Sequence, residues 1–82
     1  MNIQLIEGEF KASDALDLVT QMIHIKIKYH ENKISKSEIE EDIKARERKI
    51  KMLQKELFEI RESFSDPTKG VSIKANIIIN LK

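Results

Sequence analysis

The chain has no cysteine and no tryptophan, one tyrosine, one proline and two glycines in 82 residues. Without cysteine there is no disulfide, no thiolate nucleophile and no sulfur ligand for a metal, which is compatible with a reducing compartment. With Pro67, Gly8 and Gly70 as the only such breakers, few positions force the backbone to stop, so long elements are expected. No apolar run approaches the ~20 residues of a membrane span, and no stretch reads as a signal-peptide core with its cleavage site. The expectation is a cytoplasmic protein without membrane contact. Charge of one sign is also missing. Charged residues are 35% of the chain yet sum to +1, which gives no global reason to seek nucleic acid or an anionic membrane.

What is present is a pattern of two long elements. The last segment, from Val71 to Leu81, holds apolar residues at every odd position and polar ones at every even position except Ile78. Strand side chains alternate between faces, so this predicts a β-strand over about 71–81 with one buried and one solvated side. Asp66, Pro67 and Gly70 precede it and end the preceding helix. Upstream, Ile39, Ile43, Arg46, Ile50, Leu53, Leu57, Ile60 and Phe64 recur at alternating spacings of four and three, a coiled-coil-like heptad seam against another helix. Ser37 with Glu40 reads as a capping box, and Glu38, Glu41 and Asp42 match the positive end of the helix dipole. A helix over about 37–64 follows.

In the first third, Ser13 or Asp14 can cap a helix over about 14–33. Ala15, Leu18, Met22, Ile25 and Tyr29 form one apolar stripe, and Leu16, Val19, Ile23 and Ile27 form a second beside it. That width predicts contact with both a helix and a sheet. Residues 23–30 alternate well enough to fit a strand, but the helical pattern begins earlier and no turn residue intervenes. Ile3 and Leu5 alternate with Asn2 and Gln4 until Gly8, which predicts a short strand over about 2–6. Candidate linkers lie at 32–37 and 65–70. The predicted class is α+β in β-α-α-β order, one domain built on an antiparallel helical hairpin. The alternative is one continuous helix of about fifty residues with terminal strands, because the second helix's heptad frame runs back to Ala15 without a slip. Chains of this size bury only roughly 60–65% of their unfolded surface. The long final strand also outreaches the short first one, so a two-fold dimer with a sheet of at least four strands is expected.

Gly8-Glu9-Phe10, Asp14-Ala15, Lys26-Ile27-Lys28-Tyr29-His30 and the closing Ile/Asn strand resemble a group of small bacterial β-α-α-β proteins for which no activity is established. The resemblance implies a hairpin and no chemistry.

No residues assemble into a nucleophile with its base, so no catalytic residue, enzyme activity or cofactor is expected. His24 and His30 are six apart, whereas a metal pair on a helix wants three or four, and residues 38–42 lack calcium-loop spacing, so no metal site is expected. His30 is better placed at a helix interface beside Tyr29 and Ile34, uncharged and hydrogen-bonded. Arg46 breaks the apolar seam. It either pairs with an acidic residue across a hairpin or dimer, or lays its stem on the seam and its head in water. Ile6 and Ile78 are expected to share the outer face of the sheet as an apolar interface spot, with Ile78→Lys weakening assembly. Lys44, Arg46, Arg48, Lys49, Lys51 and Lys55 against Glu47 form a basic stretch able to meet phosphates. The functional expectation is a non-enzymatic homodimer that binds or scaffolds a protein partner. A nucleic-acid-binding accessory protein is the alternative, with contacts at Lys44, Arg48, Lys49, Lys51 and Lys55.

Overall fold

A computed structural model describes residues 1–64, 66 and 68–82. Strand β1 (Asn2–Lys11) runs directly into helix α1 (Ala12–Lys36), which reverses into helix α2 (Glu40–Ser63) before strand β2 (Gly70–Ile78). The strands pair antiparallel in a two-stranded sheet. The order is therefore β-α-α-β and the helices form a hairpin, so the continuous helix is ruled out.

The turn lies further along than the polar residues suggested. Asn32 and Lys36 remain helical, and the reversal uses only Ser37, Glu38 and Ile39. Ser37 and Ile39 are both extended, so the predicted capping box does not form. Instead the Ser37 amide donates to Ile34 O at 3.1 Å, closing α1, and the Ile39 amide donates to Ser37 Oγ at 3.2 Å. Residue Glu40 opens α2 and pairs with Lys44 at 3.2 Å. At the other end α1 starts at Ala12, ahead of Ser13 and Asp14, with Lys11 at its N-cap and no side-chain cap. The second connection holds an Asp66 carboxylate that accepts from both the Thr68 amide (3.0 Å) and its hydroxyl (2.6 Å). These bonds hold the Asp66 carboxyl below its usual value. Pro67, which shares the expected helix-ending role, and Ser65, which opens the candidate linker, lie outside the described residues.

Strand β1 is longer than the alternation implied, since Gly8 continues the strand instead of breaking it. Its φ of +152° is one that L side chains rarely adopt. A Cβ there would meet only the Phe10 ring at 3.9 Å, so the constraint is conformational and not steric. Gly8→Ala should cost about 1–3 kcal/mol. Gly70→Ala, where no positive φ applies and the nearest atom is Phe10 O at 3.8 Å, should stay within about 0.5 kcal/mol. Urea unfolding of the two variants checks this, and equal losses would contradict it.

A register shift between Gln4 and Ile6 leaves Leu5 as the extra residue of a β-bulge. The bulge reverses the expected phase of the strand. Ile6 pairs with Ala75, Gly8 with Ile73 and Phe10 with Val71, and all six are half-buried. Ile78 pairs with Asn2 and is 70% exposed. Ile6 thus shares the sheet side of Ala75 and Ile73, away from Ile78, and the expected Ile6–Ile78 spot does not exist. Because β1 matches β2 almost throughout, the unequal strand lengths that pointed to a four-stranded sheet are also absent.

The apolar seam of α2 faces α1, with Leu57 buried and Ile43, Ile50, Leu53 and Ile60 half-buried. On α1 the stripe ending at Ile27 meets this seam, while Ile25 and Tyr29 stay exposed. The backbone of both strands comes within 8 Å of α1, but among the described residues that of neither strand comes so close to α2. The sheet therefore lies nearer α1 than α2. The result is a slab of 47 × 32 × 13 Å with a radius of gyration of 15.5 Å. A compact domain of this length would have a radius of about 12 Å. Accessible surface is 6864 Å², against about 5,100 Å² for a monomer of 9.6 kDa. No large side chain is fully buried among the described residues.

Candidate functional site

The polar centre of the hairpin is His30, which is 5% exposed. In the helical hairpin it sits opposite Arg46, whose Nη1 lies 3.1 Å from the imidazole Nδ1. Guanidinium can only donate, so Nδ1 accepts and the ring proton of the neutral imidazole resides on Nε2. Burial, and then the charges of Arg46, Lys49 and Lys26, hold the His30 pKa below its usual value. Arg46 also bonds Asp42 Oδ2 through Nε at 3.3 Å and stands 5.8 Å from the centre of the Tyr29 ring. The seam arginine therefore crosses the hairpin, as one of its two expected roles required, but its partner there is a neutral imidazole. Its acidic partner comes from its own helix. His30 is interfacial, uncharged and hydrogen-bonded beside Tyr29, as expected.

The other side of the His30 ring is unfinished. Nε2 is buried and has no hydrogen-bond partner among the described residues. A donor left in this state costs about 1–3 kcal/mol. His30 lines an open groove of about 350 Å³ along one face of the hairpin, together with Lys26 from α1 and Lys49, Met52, Leu53 and Glu56 from α2. Among the described residues Lys26, Lys49 and Glu56 make no ion pair; the only two pairs are Lys44–Glu40 and Arg46–Asp42. A second groove, lined in part by His24, Phe58 and Arg61, does not include His30. The two histidines therefore do not converge.

The basic stretch divides. Arg46 is half-buried and faces α1, and Lys49 is exposed at the edge of the His30 groove, whereas Lys44, Arg48, Lys51 and Lys55 are exposed and recur at spacings of four, three and four. The third feature is the free end of the ribbon, where Met1, Leu5, Ile78 and Leu81 are 80%, 50%, 70% and 98% exposed. Main-chain bonds between Met1 and Ile79 at 2.7 and 2.8 Å close this end. Its apolar residues lie on both sides of the sheet, a consequence of the bulge and of Ile78.

The link between His30 and Arg46 was not read from the sequence, although each residue stood out alone. The signal was their symmetry about the turn: His30 and Arg46 stand equally far before and after Glu38, at the middle of the reversal, and such positions meet in an antiparallel hairpin. No family model, curated protein or solved structure matches the chain. No helix among the described residues is long and apolar enough to cross a membrane.

Proposed function

We propose that this chain is a non-enzymatic, self-associating module that binds or scaffolds a protein partner. The observation that carries the reading is the surplus of surface: about 1,800 Å² beyond that of a monomer of this mass. A standard protein interface removes about 800 Å² from each partner and obligate ones remove more. One self-association surface and one partner surface together account for the surplus. The exposed apolar end of the ribbon, with Ile78 and Leu81, is the surface offered to the partner. Light scattering at tens of micromolar should give twice the 9.6 kDa of a single chain. A strictly monomeric mass would remove the reading.

One observation favours a second reading. The stripe of Lys44, Arg48, Lys51 and Lys55 lies along one exposed side of α2 and spans about 16 Å. Such a stripe suits phosphate contacts, whose affinity falls steeply with salt. Lys44 is already paired with Glu40, and no tryptophan is present for base stacking. Salt-sensitive retention of the protein on duplex DNA or RNA, lost on replacing Arg48 and Lys51 with glutamine, would establish this reading instead.

A further inference from the structure

We infer that the His30 groove is completed by a second copy of this chain, in a two-fold contact that sets Glu56 of each copy against Lys49 of the other. The inference rests on the self-association proposed above and names its face and register. Three observations converge on it. The first is the unpartnered Nε2–H of His30, a buried donor that needs an acceptor, on a residue that lines the groove. The second is the flanking pair Lys26 and Lys49, which bring positive charge to the same place without a carboxylate bonded to either. An incoming carboxylate would bring to this groove the acceptor and the negative charge that these groups lack.

The third observation identifies where that carboxylate comes from. Lys49 and Glu56 line the same groove from the same helix, two turns or about 10.5 Å apart, with the partly exposed apolar pair Met52 and Leu53 midway between them. This stretch is complementary to itself when reversed. A two-fold axis between Met52 and Leu53 places Lys49 on Glu56 of the second copy, Met52 on Leu53, and Glu56 on Lys49. Both ends then pair at once, as an isologous contact requires. Met52 is unbranched and 62% exposed, so it can yield to the incoming helix and open the His30 edge. The α2 surface is free for this, because Lys49, Met52 and Glu56 are all exposed. The ribbon end is a poorer candidate for the copy, since its apolar groups divide between two faces and carry no complementary charge.

The test is a charge exchange in the full chain. Lys49→Glu places two acidic groups at each contact and Glu56→Lys places two basic ones, so each variant alone should dissociate about a hundredfold more readily. Mixed in equal amounts, the two should recover a dimer, because at one contact the exchanged charges face each other and at the other the original pair remains. Both positions are exposed, and circular dichroism of the separate variants should match the parent. Ile78→Lys serves as the control and should leave the dimer intact. A parent dimer that neither variant weakens, or weakened variants that do not recombine, overturns this register while leaving self-association standing. So does a dimer lost only in Ile78→Lys, or one that resists both variants while phosphate binds the groove. A parent that is monomeric overturns both proposals.

Discussion

Leu57→Ala is expected to cost about 2–5 kcal/mol of folding stability, while Phe58→Ala, beside it and larger, is expected to cost under about 1 kcal/mol. The order reverses side-chain size because burial decides. Leu57 is 6% exposed in the α1–α2 seam, and Phe58 is 63% exposed. Truncating Leu57 removes contacts with α1 and leaves a void that a close-packed seam cannot readily close. The whole chain, at ordinary values per residue, has only about 4–12 kcal/mol to lose. Ile27, 9% exposed on α1, is its counterpart in the small core. Urea unfolding followed by circular dichroism, at one fixed protein concentration because association shifts apparent stability, measures both variants. Equal losses would mean that the seam is not the core.

The second large effect is a loss of stability on mild acidification. His30 is held below its usual pKa by burial first and then by Arg46, Lys49 and Lys26, with Glu56 across the groove as the acidic group among these neighbours. In the unfolded chain the ring takes up a proton near its ordinary value of about 6.5. The folded chain does not, so the unfolded state binds more protons in the interval between the two values. The contribution is fully present above about pH 6.5 and declines as pH falls through that value toward the lower folded one. Protonation would also put hydrogen on Nδ1, the atom that accepts from Arg46, and break the bond across the hairpin. Melting temperature should therefore fall between about pH 7.5 and 5.5, the interval that brackets the ordinary histidine value. In His30→Gln, whose amide oxygen can still accept from Arg46 but cannot titrate, the fall should be largely abolished. An unchanged pH profile in that variant would show that other groups carry it.

The β-α-α-β order was legible because the heptad seam of α2 and the alternation of β2 each admit one reading over many residues. The broad apolar width of α1 required two partners, and it has them, though the sheet is too small to cover Ile25 and Tyr29. What could not be read was local. Bulges leave no mark in an alternation pattern as short as Ile3 to Ile6, yet the bulge at Leu5 moves Ile6 to the opposite face. The turn was displaced because Asn32, Ser35 and Lys36 are tolerated in a helix when hydrogen bonds can be made. Ser35 donates to Asn32 O at 2.8 Å within the last turn of α1. The displacement also hid the His30–Arg46 pair, since the partner of each seam residue depends on where the chain reverses.

The sheet has no local pairs. Its nearest partners, Lys11 and Gly70, are about sixty residues apart, and closing so long a flexible loop costs about 3–4 kcal/mol of chain entropy. Forming the α1–α2 hairpin first removes most of that cost, because the end of α2 then lies beside the start of α1. The ribbon is consequently expected to assemble last and to open first, its closure depending on the three-residue reversal at 37–39 on the far side of the molecule. Amide exchange should find the strands less protected than the facing turns of the helices, although the strands carry the most regular alternation in the chain.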